Sequence, residues 1–187
     1  QVAEQYGVPT YIVKNGVPME EDDFFIDWLK RANADIFCVI SFKKLPDKVI
    51  KMAKKCAFNV HASLLPFLRG AAPINWAIRL GYKETGLTAF VLNDKIDCGN
   101  IIANTKIKIA KNEKFTTLFK KLSELCVDFT TYIIDDVLQR ENWKDYLIVQ
   151  GTPSTEYEYL ATAPKIDLNY FKCHWTKFTA EHFKHCV

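Results

Sequence analysis

The residues best suited to chemistry in this sequence are Asn59, His61 and Asp97. Asn59 and His61 lie two positions apart in the run AFNVHA (57–62), so on a β-strand their side chains share one face. If that strand ends near Ser63, both side chains project at the carboxyl edge of the sheet, where open α/β folds place ligands. Asp97 lies in the segment DKIDCG, which we predict to be a loop between two strands and which makes it the natural third member of the group.

An amide, an imidazole and a carboxylate together suit the transfer of an acyl group to an amine. Asn59 can donate a hydrogen bond to an oxyanion, and His61 can donate there too or move protons. Asp97 can hold the imidazole in one orientation and help to accept a proton from the attacking amine. No Ser or Cys is obviously presented as a nucleophile, so direct attack by the amine is the simpler scheme. On the residues alone, a purely structural His–Asp pair remains the alternative.

The elements that would position these residues alternate between strands and helices over residues 8–140. Short apolar or β-branched runs predict strands, and apolar residues at helical spacing predict helices. The predicted strands are VPTYIV (8–13), IFCVIS (36–41), AFNVHA (57–62), LTAFVL (87–92) and NIIANTKIKI (100–109). The predicted helices cover residues 22–33, 46–55, 73–80 and about 113–140. This alternation predicts an α/β fold with a largely parallel sheet.

Charge and composition exclude several classes of protein. Lys and Arg number 25 against 22 Asp and Glu, and the net charge of +3 is too small to argue for nucleic-acid binding by itself. Charged residues interrupt every apolar run before it reaches the ~18 residues of a membrane span, and the first residues lack the pattern of a signal peptide. We therefore expect no membrane partner. Because the sequence does not begin with Met, we expect it to start inside a longer protein.

The remaining cysteines and histidines favour neither disulfides nor a metal site. The cysteines are widely spread and mostly lie in apolar contexts, which is typical of reduced cysteines in a cytoplasmic protein. His182, His185 and Cys186 lie together in the short run HFKHC. No fourth residue has the finger-like spacing of a zinc ligand, so we interpret them as surface residues and predict no metal.

An ordered series of motifs resembles the signature of the folate-dependent formyltransferase family. The motifs are NVHASLLP, RGAAPINWAI, ETGLT and DCGNII, all between residues 59 and 102. SFKKLP (41–46) is similar to a strand-end motif of the family, and APKID (163–167) with HWTK (174–177) is similar to a linker segment. Within the family, the resemblance is greatest to members that formylate the methionine carried on initiator tRNA.

The resemblance implies a Rossmann-like fold and the transfer of a formyl group from 10-formyltetrahydrofolate, as co-substrate, to the α-amino group of methionyl initiator tRNA. The family's catalytic Asn, His and Asp fall on Asn59, His61 and Asp97. Arg69 would meet a phosphate or a carboxylate, because a guanidinium suits planar anions. The pterin of the folate would bind between two segments, which are Ser63, Leu64, Leu65 and Pro66 on one side and Asp94, Lys95 and Ile96 on the other.

The resemblance also implies two parts of the chain and a full-length protein that is a monomer. Residues 1–150 correspond to a catalytic domain without the family's first strands, and residues 151–187 to a linker towards a C-terminal β-barrel that the sequence does not include. Three alternatives stay open, which are a sugar-nucleotide N-formyltransferase, a formyltetrahydrofolate hydrolase with water as acceptor, and a folate-binding fragment without catalysis.

Overall fold

A four-stranded sheet forms the centre of the computed structural model, which describes residues 2–152 and 162–166. The strands follow the order β1-β2-β3-β4 across the sheet, with bounds Ile36–Val39, Cys56–His61, Glu84–Val91 and Ile101–Lys108. Strand β1 is parallel to β2, whereas β2 is antiparallel to β3 and β3 is antiparallel to β4. The predicted α/β class is therefore confirmed, but the largely parallel sheet is confirmed only for the first strand pair.

The chain connections explain one of the two antiparallel pairs. Parallel neighbours need a crossover of about a dozen residues or more, usually with a helix. Residues 92–100 between β3 and β4 contain no helix, and they close an antiparallel pair instead. The connection from β2 to β3 does contain a helix, yet β3 returns antiparallel to β2 with Phe58 opposite Val91. The alternation of strands and helices indicated the class of fold but not the direction of each strand.

Residues 8–13, predicted to be a strand, form no strand in the described structure. Tyr11 and Val13 pack in a small cluster on the helix Asp23–Ala32 instead, whereas Val8 and Ile12 are exposed. The ring of Tyr11 packs against those of Phe25 and Trp28, with centroids 5.4 and 6.0 Å apart. The Tyr11 hydroxyl also donates a hydrogen bond to Asp22 at 2.9 Å. Packing against this helix, and not pairing with the sheet, therefore fixes the segment.

The described residues also form five α-helices. They are α1 (Val2–Gln5), α2 (Asp23–Ala32), α3 (Asp47–Ile50), α4 (Pro73–Arg79) and α5 (Phe115–Gln139), and short 3-10 turns cover Met19–Glu21 and Trp143–Tyr146. Helix α2 begins after Asp22, whose carboxylate accepts the backbone N–H of Phe25, and it ends at Asn33 in the left-handed conformation. None of these helices is both long and apolar enough to cross a membrane.

Helix α5 covers one face of the sheet. The side chains of β2 that do not pack against α5 therefore lie on the opposite face. Phe58 and Val60 of β2 pack in one core cluster with Leu118 and Ile133 of α5. Side chains alternate along a strand, so Asn59 and His61 point away from this core. The apolar positions of β2 and α5 therefore orient the polar residues of the candidate site.

Candidate active site

His61 is the last residue of β2, and both of its ring nitrogens face oxygen atoms. Its Nε2 lies 2.8 Å from the backbone carbonyl oxygen of Leu68, and its Nδ1 lies 3.7 Å from Oδ2 of Asp97. A carbonyl and a carboxylate can only accept hydrogen bonds, so only the doubly protonated imidazolium can donate towards both. The side chain is 7% exposed, which limits screening of the His61–Asp97 pair by water. Each ring nitrogen of His61 therefore faces an oxygen atom that can accept a hydrogen bond.

Asp97 is held by groups from two other parts of the chain. Its Oδ2 accepts the backbone N–H of Gly70 at 2.8 Å, and its own carbonyl oxygen accepts the Nε2 of Gln150 at 3.1 Å. Its backbone has φ +50°, in the left-handed region that non-glycine residues rarely adopt. This conformation lets one carboxylate oxygen contact both the loop after β2 and the imidazole of His61.

Leu68 contacts the candidate site through its backbone, which the sequence did not predict. It contributes through its backbone carbonyl, which faces His61, and its φ of +57° is unusual for a bulky residue. Its side chain is fully buried in a cluster with Trp76, Ala77 and Ala163. A buried leucine gives no sequence signal for a role of its carbonyl group, so only the fold could identify it.

Asn59, His61 and Asp97 line one cavity with a volume of about 640 Å³. Within the described residues, the Asn59 side chain has no hydrogen-bond partner, so its amide is free to bind a ligand in this cavity. The walls also carry basic and aromatic or apolar side chains, including Phe42, Lys43, Lys44, Lys95, Ile96, Phe115 and Phe119. The structure thus brings the three predicted residues together beside a space of ligand size.

The residues predicted to bind a pterin fall into two groups. Lys95 and Ile96 line the cavity, and Asp94 beside them is exposed, with its carbonyl oxygen accepting the Nζ of Lys44. The other segment does not line the cavity. This segment consists of Ser63, Leu64, Leu65 and Pro66. The Ser63 hydroxyl donates a hydrogen bond to the carbonyl oxygen of Phe67, and the N–H of Leu65 donates one to the hydroxyl of Thr88. These bonds tie the segment to the loop and to β3 behind the cavity.

Arg69, predicted to bind an anion, has its guanidinium directed at Gln150. Its Nε and Nη2 both lie within hydrogen-bond distance of the Gln150 side-chain oxygen, at 3.2 and 2.6 Å. Arg69 does not line the cavity, although its neighbour Gly70 does. The structure therefore places the Arg69 side chain in the framework next to the site.

Metal-binding groups are absent from the part of the chain that the structure describes. There, no three His, Cys, Asp or Glu side chains are grouped as metal ligands would be. The run HFKHC, with His182, His185 and Cys186, lies outside the described residues, as does most of the predicted linker 151–187. The four described cysteines are free thiols at Cys38, Cys56, Cys98 and Cys126.

Comparisons with known proteins agree on one family. Residues 3–130 match the family profile described as Formyl transferase. Methionyl-tRNA formyltransferase of Azobacteroides pseudotrichonymphae is 37% identical over 179 residues, covering 93% of this chain and 54% of that protein. The methionyl-tRNA formyltransferase of Flavobacterium johnsoniae is 39% identical over 157 residues, covering 84% and 48%. The chain thus spans about half the length of the curated relatives it matches.

Solved structures show the same fold at lower sequence identity. Phosphoribosylglycinamide formyltransferase from Anaplasma phagocytophilum has a TM-score of 0.65 at 24% identity, with 74% of this chain and 67% of that chain covered. HypX from Aquifex aeolicus, in complex with tetrahydrofolic acid, has a TM-score of 0.62 at 19% identity, with 82% and 25% covered. These similarities establish a shared fold.

Proposed function

The chain belongs to the formyl transferase family, and we propose that it is the catalytic part of a methionyl-tRNA formyltransferase. In this proposal it transfers a formyl group from 10-formyltetrahydrofolate to the α-amino group of methionyl initiator tRNA, in the cytoplasm. The observation that carries the proposal is the grouping of Asn59, His61 and Asp97 around one cavity, with a His61 Nδ1 to Asp97 Oδ2 distance of 3.7 Å. The names of the curated relatives support the choice of acceptor.

The residues that line the cavity suit a folate co-substrate. A volume of about 640 Å³ lies within the range of small-molecule sites. The apolar wall that includes Ile96 and Phe42 suits the faces of a flat heterocycle, and Lys95 suits an acidic tail. Ser63 to Pro66, which hold the loop behind the cavity, would shape this pocket through the backbone instead of touching the ligand with their side chains.

The three polar residues have separate roles in this reaction. Asn59 would donate a hydrogen bond to the formyl oxygen as it gains negative charge, and the imidazolium of His61 would stabilise the same charge. Asp97 would balance the charge of His61 and help to relay the proton that the amine loses. The amine nitrogen bonds to the formyl carbon, the bond from that carbon to N10 breaks, and N10 receives a proton in exchange. No covalent intermediate with the protein is required.

The test measures formyl transfer by the natural full-length protein. Purified enzyme receives 10-formyltetrahydrofolate with a labelled formyl group and one of three acceptors, which are methionyl initiator tRNA, a dTDP-amino sugar, or water alone. We expect label in the tRNA, and we expect His61→Ala to lower turnover by about 10² or more while the thermal unfolding temperature stays near that of wild type.

Two results would contradict the proposal. Transfer to the amino sugar or release of formate, without label in tRNA, would move the function to another acceptor. Near-normal turnover in His61→Ala would remove the assignment of the site itself. Asp128 is exposed on α5 and lies outside the cavity. Asp128→Asn therefore serves as the control for effects of purification and folding that do not involve the site.

A further inference from the structure

Gln150 connects the two loops that carry the candidate catalytic groups. Its Nε2 donates to the carbonyl oxygens of Asp97 at 3.1 Å and Gly99 at 2.6 Å. Its Oε1 accepts two hydrogen bonds from the guanidinium of Arg69. Arg69 in turn lies between Leu68, whose carbonyl faces His61, and Gly70, whose N–H faces Asp97. We propose that Gln150 is a positioning residue that holds Asp97 against His61, an inference that rests on the proposed function.

Gln150 is itself fixed by the backbone. Ile148, two residues before it, forms a pair of hydrogen bonds with Ile101 at the start of β4, with N···O distances of 2.7 and 2.8 Å. This pairing holds the segment beside the end of the Asp97 loop, so the Gln150 amide starts from an anchored position. Gln150 lies beyond residues 3–130, which match the family profile, and no motif of the sequence pointed to it.

The two residues whose carbonyls accept from the Gln150 amide differ in their backbone environment. Gly99 is buried so tightly against β3 that a Cβ at this position would lie 1.7 Å from the carbonyl oxygen of Val91. Asp97, in contrast, has a backbone in the strained left-handed region. By donating hydrogen bonds to both carbonyls, the Gln150 amide connects the strained Asp97 to the tightly packed Gly99.

Arg69 is fixed at both ends, so it gives Gln150 a firm partner on the other loop. Its carbonyl oxygen accepts the N–H of Ala163 at 2.6 Å, and the N–H of Ala72 donates to the carbonyl oxygen of Ala163 at 3.0 Å. The described segment 162–166 therefore holds the Arg69 loop from outside, while Gln150 holds it to the Asp97 loop. Loss of the Gln150 bonds would allow the two loops to separate without unfolding the core around α5.

Two substitutions separate the hydrogen bonds from the space that the side chain fills. Gln150→Met keeps the length and removes both donor and acceptor, whereas Gln150→Glu keeps the acceptor for Arg69 and points a carboxylate oxygen at two carbonyls. Gln139→Ala, an exposed glutamine at the end of α5, is the matched control. All variants are made in the natural full-length protein.

We expect Gln150→Met and Gln150→Glu to lower kcat for formyl transfer by about 10- to 100-fold, because small displacements of a catalytic group have effects of this size. KM for methionyl-tRNA should change by less than about threefold, since Gln150 does not line the cavity. In an Asp97→Asn background, Gln150→Met should add less than about threefold, because residues that act as one unit are not additive. If Gln150→Met lowered kcat equally in the wild-type and Asp97→Asn backgrounds, its role would be generally structural and the inference would be overturned. A kcat of Gln150→Met within about twofold of that of the Gln139→Ala control would overturn it too.

A second readout does not depend on turnover. The Gly70 amide is hydrogen-bonded to Asp97, so its hydrogen exchange reports directly on the position of that carboxylate. We expect exchange at Gly70 to become at least about tenfold faster in Gln150→Met and to remain unchanged in Gln139→Ala. Unchanged hydrogen exchange at Gly70 in Gln150→Met would overturn the inference, even if the wild-type protein transferred the formyl group to another acceptor. A wild-type protein that transferred no formyl group at all would overturn only the proposed function.

Discussion

Asp97→Asn is the substitution that most directly tests the charge pairing at the site. The change keeps the size of the side chain, and the amide oxygen of Asn can still accept the Gly70 N–H that now lies 2.8 Å from Oδ2. The contact that it removes is electrostatic, since a neutral amide no longer balances the imidazolium of His61. We therefore expect the fold to persist and the chemical step to slow.

The size of the effect follows from the separation of the two groups. Opposite unit charges at 3.7 Å attract each other by about 4 kcal/mol at an effective dielectric constant of about 20. The side chains of His61 and Asp97 are 7% and 12% exposed, so water screens this attraction little. In the proposed mechanism the imidazolium is needed as charge develops on the formyl oxygen. Asp97→Asn therefore removes at most this attraction from the transition state and lowers kcat by up to about 10³-fold.

The assay is single-turnover formyl transfer to methionyl-tRNA with excess full-length enzyme, which measures chemistry without product release. Asp128→Asn, an exposed carboxylate on α5, provides the isosteric control and should retain wild-type turnover. Circular dichroism and thermal unfolding should show Asp97→Asn folded. A folded Asp97→Asn enzyme with a rate within about tenfold of wild type would refute the charge pairing as the source of catalysis.

Two further predictions concern the scaffold. Gly86→Ala should lower the free energy of unfolding by about 3 kcal/mol or more, because its Cβ would lie 1.9 Å from the carbonyl oxygen of Thr105 on the paired strand. Denaturant unfolding measures this loss, and a stability equal to wild type would contradict the tight β3–β4 contact. Hydrogen bonds from Lys121 and Thr117 hold the pKa of Glu113 at about 2, below its usual 4.5. The ionised carboxylate therefore stabilises the folded protein fully above about pH 4.5, and this contribution is lost as the pH falls towards the folded-state pKa. Glu113→Gln should therefore reduce the fall in melting temperature between about pH 5 and about pH 3, and an unchanged pH dependence would contradict the contact.

The sequence predicted those elements whose signal is local. The period of two in AFNVHA predicted β2 and put Asn59 and His61 on one face, and the helical spacing of Leu118, Leu122 and Ile133 predicted α5. Strand direction depends on how the chain returns across the sheet, which no local pattern encodes. The same limit applies to residues 8–13, because a β-branched run becomes a strand only where a neighbour pairs with it.

The site divides in the same way between side chains and backbone. Asn59, His61 and Asp97 could be predicted because their side chains are chemically distinctive. Leu68 and Gly70 instead contact the site through a backbone carbonyl, which every residue type has, and a backbone N–H, which every type except proline has. Their role depends on the local turn of the chain, which places these groups around His61. Residue identity therefore carries little information about them.

Backbone strain at the site requires compensation, and the structure shows where it comes from. Left-handed conformations cost non-glycine residues about 1–2 kcal/mol each, and Leu68 and Asp97 both adopt one. Burying the Leu68 side chain contributes about 1.5–3 kcal/mol, enough to offset its strain and keep its carbonyl directed at His61. Asp97 has no such apolar burial, and hydrogen bonds from Gly70 and Gln150 stabilise it instead. The position of the proposed catalytic carboxylate therefore depends on polar contacts that one substitution can remove, whereas the Leu68 carbonyl opposite it is secured by the core.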